Sequence, residues 1–224
     1  MKTSNENKIR VLIADDHGIM RKGLELIISN SEKIEIIAQA DTGLKAIEMA
    51  RRLSPDIVLM DISMPGLNGI DAAKQIRIDN PDIKIIALSA HSNKHFVKDM
   101  LKAGGSGYIL KDSLATDLLD AIDAVVAGEK YLSPKIASIL VDQYIGGSGE
   151  GGGGSILDKL TLKERQVLQL LVEDKTTIQT AKLLHLSPKT IEARRLNMMK
   201  KLGVNSMVNL TKLAVREGLT SLDF

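Results

Sequence analysis

Asp56-Ile57-Val58-Leu59-Met60-Asp61-Ile62-Ser63-Met64-Pro65-Gly66 runs four apolar residues, two of them β-branched, into a lone carboxylate and then a Pro-Gly turn. The pattern reads as a buried strand with Asp61 at its carboxyl end. In an open parallel sheet, ligands sit just beyond the carboxyl ends of the strands, so the polar groups that end neighbouring strands decide what the crevice can do.

Three more apolar runs end in polar groups. Arg10-Val11-Leu12-Ile13-Ala14 leads to Asp15-Asp16, Ile83-Lys84-Ile85-Ile86-Ala87-Leu88 to Ser89, and Gly107-Tyr108-Ile109-Leu110 to Lys111. If all four strands are parallel, three carboxylates, a hydroxyl and an ammonium converge. Mg2+ prefers carboxylate oxygens and water, a carboxylate can act as a nucleophile, and a lysine can neutralise an incoming phosphate. That set suits phosphoryl acceptance at Asp61.

Working outward, strands are expected near 9 to 14, 34 to 39, 57 to 61, 83 to 88 and 107 to 110. The segments between them, such as Leu44 to Leu53 and Ile70 to Ile78, repeat apolar residues at three-and-four spacing. Five β-α units of this kind predict a five-stranded parallel (βα)5 sheet with helices on both faces. The crevice at the reversal of strand order would bring the first and third strand ends together, where Asp15, Asp16 and Asp61 lie.

The 224 residues allow one or two domains, and 44% hydrophobic content is ample for a core in each. Aromatic content of 2% makes those cores aliphatic, and the nine Met residues read as core filling. The absence of Cys excludes disulfides, thiolate metal sites and cysteine nucleophiles. No apolar run approaches the roughly 20 residues that span a bilayer, so a soluble, cytoplasmic protein with no membrane partner is expected. Residues 1 to 145 carry 18 Lys+Arg against 20 Asp+Glu, whereas residues 146 to 224 carry 12 against 8. The basic excess at the C-terminal end is compatible with a polyanionic partner.

Ser133-Pro134 reads as an N-cap followed by a first-turn proline, with Ile136, Ile139, Leu140 and Tyr144 on one face of the helix that follows. The tract Gly146-Gly147-Ser148-Gly149-Glu150-Gly151-Gly152-Gly153-Gly154-Ser155 is a flexible coil, either natural low complexity or an engineered replacement. Beyond it, Thr161-Leu162-Lys163-Glu164 is a capping box before an amphipathic run through Val167, Leu168, Leu170 and Leu171. A second helix is expected near Ile178 to Leu184. Ser187-Pro188 starts a third, with Ile191, Met198 and Leu202 inward and Lys189, Glu192, Ala193, Leu196 and Lys200 outward. Two short helices so joined form an all-α helix-turn-helix unit whose second helix would enter a major groove.

Asp15-Asp16, Asp61, Ser89 and Lys111 stand in the order and approximate spacing of the receiver domain of bacterial two-component response regulators, a resemblance covering residues 8 to 128. It implies a flavodoxin-like fold, with Asp16, Asp61 and the Ser63 carbonyl holding Mg2+ and Asp15 acting through metal-bound water. It further implies that Asp61 takes phosphate from a sensor histidine kinase and that Lys111 pairs with the phosphoryl group. Ser89 and Tyr108 would form the switch, the hydroxyl moving to the phosphate and the ring turning inward. Ser63 and His91 flank the acceptor where they would affect phosphoryl lifetime, and His17 is read as structural.

Leu160-Thr161-Leu162-Lys163-Glu164-Arg165, Leu186-Ser187-Pro188-Lys189-Thr190-Ile191-Glu192 and Lys201-Leu202-Gly203-Val204 resemble the LuxR-type DNA-binding domain. The domain plan is then a receiver over 8–128, a linker helix and Gly/Ser-rich linker over 129–155, and the helix-turn-helix domain over 156–224. A receiver joined to this domain resembles the NarL/FixJ family of transcriptional regulators. The resemblance places Glu192, Ala193 and Leu196 against bases of double-stranded DNA and Lys189, Thr190, Asn197, Lys200 and Lys201 against phosphates. It assigns dimerisation to a last helix near Val208 to Glu217, with a homodimer forming on phosphorylation and RNA polymerase as a further partner. Three departures stand out: Asp174 where the family has glycine, Thr180 at an apolar position, and Arg194 for the usual histidine.

Under this resemblance the chain is a DNA-binding regulator, and its own phosphorylation and dephosphorylation at Asp61 is its only chemistry. Two other readings compete. A Mg2+-dependent phosphohydrolase would use Asp61 but commonly has a second acid two residues on, where this chain has Ser63. A DNA binder indifferent to phosphate would have no use for the acidic, Ser and Lys set.

Overall fold

In the computed structural model the described residues are 8–90, 92, 94–145, 156–217 and 219–220, apart from the side chains of 94, 95, 142–145 and 158. His91, Asn93, the Gly/Ser tract 146–155 and the Tyr144 side chain therefore lie outside the described residues. The chain divides into two compact units, and the main boundary between them falls within that tract.

The first unit alternates strands and helices: β1 (Ile9–Ala14), α1 (Gly18–Ile28), β2 (Ile34–Ala40), α2 (Gly43–Leu53), β3 (Ile57–Asp61), α3 (Gly69–Asp79), β4 (Lys84–Ser89), α4 (Lys94–Lys102), β5 (Gly107–Leu110), α5 (Leu114–Val126), β6 (Tyr131–Leu132) and α6 (Pro134–Ile145). All strand pairs are parallel, in the order β2-β1-β3-β4-β5-β6. β1, β3 and β5 are apolar because both faces are covered, and Val11, Ile13, Leu59, Leu88 and Ile109 meet Leu118, Ile122 and Val125 of α5 in one buried core.

The sheet has six strands, not the five expected. Gly128 takes a left-handed turn (φ +88°), a conformation that costs a glycine little, and the chain comes back beside β5 with Gly107 opposite Tyr131 and Tyr108 opposite Leu132. Lys130 anchors the return by donating to the Gly105 carbonyl at 2.7 Å. Two residues are too short a run to show a period in the sequence. Ser133 then caps α6, whose Ile136 is buried while Ile139 and Leu140 are half-buried.

The second unit holds α7 (Leu162–Val172), α8 (Thr177–Leu183), α9 (Pro188–Leu202) and α10 (Met207–Arg216). Each starts at a hydroxyl cap, and α7 and α8 both carry full capping boxes, Thr161 with Glu164 and Thr176 with Gln179. The second box is legible as Thr-x-x-Gln but was not expected from the sequence. Val167, Leu168, Ala181, Ile191, Met198, Leu202, Leu210 and Ala214 form the core. No helix among the described residues is long and apolar enough to cross a membrane.

Candidate functional site

Strand register builds the acidic site. Ala14 lies opposite Met60, so Asp15 and Asp61, each the next residue, end adjacent strands at the reversal of strand order. Asp61 lies opposite Leu88 and Ser89 opposite Leu110, which brings Ser89 and Lys111 into the same row of strand ends. The loop after β3 turns back tightly: the Gly69 N–H donates to the Ile62 carbonyl at 2.9 Å, and a Cβ on Gly69 would lie 1.9 Å from the Asp61 carbonyl oxygen. Only glycine fits there.

Asp15 and Asp61 are buried, and Lys111, 15% exposed, extends from the short 3-10 turn Lys111–Ser113. Its Nζ lies 2.9 Å from Asp15 Oδ2 and 2.9 Å from Asp61 Oδ2. The Ser63 N–H donates to Asp61 Oδ1 at 3.1 Å, while the Ser63 side chain is exposed. Asp16, part-exposed, and His17 complete the cluster, with His17 Nδ1 3.0 Å from Asp16 Oδ1. The ligand atoms of Asp15, Asp16, His17 and Asp61 all lie within 4.8 Å of one another. His17 was not expected in this group; its position directly after the acid pair was the only sign.

Electrostatics follow from one ammonium among three carboxylates. Burial opposes the charged Lys111, but Asp61 and Asp15 outweigh it and raise its pKa. Burial pushes the Asp61 carboxyl up, Lys111 only partly offsets this, and Asp15 adds to it. The lysine is satisfied, whereas the shared charge leaves Asp61 short of cations.

Ser89 and Tyr108 are both buried and joined by a side-chain hydrogen bond. Burial pushes the Tyr108 hydroxyl up to about 12, against the effect of that bond. The ring is thus inside already, whereas the sequence reading has it turning inward only when Ser89 moves.

On α9, Ile191, Met198 and Leu202 face the core. Lys189, Ala193, Leu196, Asn197 and Lys200 are exposed and recur along one face of the helix, with Leu196 61% exposed. Several of the expected DNA contacts, the exposed Asn197 among them, have partners inside the unit. Glu192 pairs with Arg195 at 2.7 Å, and Thr190 packs its hydroxyl 2.8 Å from that of Ser187 at the cap. Lys201 Nζ donates to both Glu164 oxygens at 2.7 and 2.8 Å, and Asn197 Nδ2 donates to Glu164 Oε1 at 3.1 Å. Glu164 thereby closes the α7 capping box and fastens α9 to α7.

Comparisons with known proteins agree with both units. Residues 11–123 match the response regulator receiver domain and residues 158–214 the bacterial regulatory proteins of the luxR family. The chain is 35% identical to the response regulator GacA of Pseudomonas protegens, over 94% of this chain and 97% of that protein. It is 32% identical to the transcriptional regulatory protein DegU of Brevibacillus brevis, over 96% of each. Among solved structures it resembles the RcsB response regulator of Salmonella typhimurium (TM-score 0.59, 29% identity, 92% of this chain and 97% of that one). A structure of two RcsB dimers bound to two parallel DNAs also matches (TM-score 0.59, 28% identity, 92% and 98%).

Proposed function

Because the chain belongs to the NarL/FixJ family of two-component response regulators, a receiver joined to a LuxR-type DNA-binding domain that regulates transcription, we propose that Asp61 is its phosphoacceptor. One observation carries the assignment: Asp61 is buried at a strand end with Lys111 Nζ 2.9 Å from its carboxylate and Asp15 on the same ammonium. An Asp61 oxygen attacks the phosphorus, the bond to the donor's leaving group breaks, and the leaving group departs with the electron pair. Lys111 is placed to exchange a carboxylate partner for a phosphoryl oxygen. Ser89 sits one strand away to donate a hydrogen bond, and doing so would disturb its bond to Tyr108.

The acidic cluster fits a hard divalent cation, because carboxylate oxygens of Asp15, Asp16 and Asp61 lie within 4.8 Å of one another and the one ammonium beside them, Lys111, reaches only Asp15 and Asp61. Asp15, Asp16 and Asp61 with the Ser63 carbonyl would hold Mg2+. When bound, the ion supplies charge neutralisation for the phosphoryl group.

Residues 8–128 are assigned the phosphoacceptor role, 129–155 the connection and 156–224 DNA binding. Ala193 and Leu196, with Glu192, are assigned to base edges of double-stranded DNA, and Lys189 and Lys200 to phosphates, with Thr190, Asn197 and Lys201 at the edge of that surface. The exposed face of α9 supports this. A sensor histidine kinase as donor, a phosphorylated homodimer on paired half-sites and a cytoplasmic location complete the reading, and dimers of RcsB on DNA support the dimer.

Intact mass after incubation with Mg2+ and a small acyl phosphate, beside Asp61→Ala, tests the acceptor. One phosphoryl adduct on the parent and none on the variant is expected. An equal adduct on both would place the acceptor elsewhere.

A further inference from the structure

The segment that carries Lys111 is tied to α6 through a buried polar node that phosphoryl chemistry itself does not use. Leu110, the residue before Lys111, donates its N–H to Ser133 Oγ at 3.3 Å and accepts at its carbonyl from Ser113 Oγ at 3.2 Å. Ser133 Oγ and Ser113 Oγ each lie 2.8 Å from the same Asp117 oxygen and 3.2 Å from each other. Thr116 Oγ1 donates to the other Asp117 oxygen at 2.8 Å. Burial raises the Asp117 pKa, but these three hydroxyls outweigh it, so the carboxylate stays ionised at the centre.

Ser133 is held at every polar atom. Its N–H donates to the Tyr108 carbonyl at 3.0 Å, and its own carbonyl accepts from Ile136 and Ala137 at 2.8 and 3.0 Å, which closes the first turn of α6. One serine therefore touches the backbone of the switch tyrosine, the backbone next to Lys111, and the start of α6. Besides the Ser133 hydroxyl, the Ser113 hydroxyl has two acceptors for its one proton, the Leu110 carbonyl and Asp117. A small shift at Lys111 can move that proton from one to the other, and a choice between two discrete arrangements is what coupling between sites requires.

We propose that Ser113, Asp117 and Ser133 are positioning residues that couple the state of Lys111 and Tyr108 to the first turn of α6, the last element before the Gly/Ser tract. The inference rests on Asp61 being phosphorylated. When Lys111 turns toward a phosphoryl group, the Leu110 carbonyl and Ser113 move with it, the share of the Ser113 proton changes, and the cap on α6 loosens. A purely structural role for the node would stabilise the unit equally with and without phosphate.

Amide hydrogen exchange at Ile136 and Ala137 in the full chain, with and without Mg2+ and a small acyl phosphate, separates the two. In the parent, exchange should quicken at least about fivefold on phosphorylation, the low end of coupling between sites. Ser113→Ala should take up the same phosphoryl adduct by intact mass yet respond less than about twofold, and Ser113→Thr, which keeps the hydroxyl, should restore the response. Asp117→Asn should behave as Ser113→Ala. A parent-like response in Ser113→Ala with a full adduct would overturn the coupling alone, as would an unresponsive but phosphorylated parent. A parent that takes no adduct would overturn the acceptor assignment, and the coupling with it.

Discussion

The strand-end crevice of the first unit and the exposed face of α9 in the second are built on opposite principles. In the crevice, register leaves no choice: Asp61 and Ser89 are the last paired residues of their strands and Asp15 and Lys111 stand one step beyond theirs, so Asp15, Asp61 and Lys111 meet because the strands do. On α9 only helical phase is fixed. Lys189, Ala193, Leu196, Asn197 and Lys200 share an exposed face, but phase does not decide which of them a ligand touches or which are held by the unit itself. A buried site is thus defined by its fold, and a surface site by its partner.

The sharpest way to break that contrast is at Gly69. Gly69→Ala puts a methyl 1.9 Å from the Asp61 carbonyl, so the backbone carrying the acceptor must move. Loss of about 4 kcal/mol or more from the first unit is expected by denaturant titration, together with loss of the phosphoryl adduct. A folded variant that still phosphorylates would show the crevice to be less determined by backbone than register implies.

Glu164 tests the other side. It accepts from Thr161, Asn197 and Lys201 at once, and Lys201 is two-thirds covered. Burial would raise its pKa, but the Lys201 bond, with those from Thr161, outweighs it and holds the carboxyl below its ordinary value of 4.5. A depressed carboxyl contributes stability that is present above the unfolded value and is lost as pH falls through the folded one. Glu164→Gln should therefore cost about 2 kcal/mol at pH 7, read as faster exchange in α7 and α9, and the gap to the parent should close as the pH drops well below 4.5. A gap that persisted there would mean that Lys201 contributes packing rather than charge.

Legibility followed the same divide. The crevice residues could be read because each ends an apolar run, and a run of four to six residues shows its period. β6 could not, since Tyr131 and Leu132 are too few and their pairing depends on the Gly128 turn. The Asp117 node was equally hidden: Ser113, Asp117 and Ser133 look like ordinary turn and cap residues until β6 and α6 bring the third beside the other two. In the second unit the caps and core face of α9 were plain, yet nothing in the spacing from Glu164 to Asn197 and Lys201 announced that those two would donate to it. Local chemistry is written locally, and partners made by tertiary return are not.

If α9 reads DNA as assigned, its exposed residues should divide by kind. Lys189→Ala should weaken binding about fivefold on every sequence and lower the salt slope by about 1, because a phosphate contact carries no base information. Leu196→Ala should leave the salt slope unchanged and alter base preference, measured by fluorescence anisotropy over an operator panel. The same effect from both substitutions would collapse the division between register and readout.

The smallest effect isolates a departure buried in the second unit. Asp174, where the sequence reading expects glycine, does adopt the left-handed conformation (φ +62°), a cost that a side chain must bear there. Thr180 bears another: it is fully buried, and its Oγ1 has no hydrogen-bond partner among the described residues. Its backbone N–H is satisfied by Thr176, so only the hydroxyl is at issue. Thr180→Val keeps the shape and removes the polar atom, and a gain of about 0.5 kcal/mol in the second unit is expected by hydrogen exchange in α8. Thr is favoured over Val at such a site only if the hydroxyl is used. A loss on substitution would therefore mean that Thr180 finds a partner when the domain opens or binds, and this buried position would then answer to a ligand as α9 does.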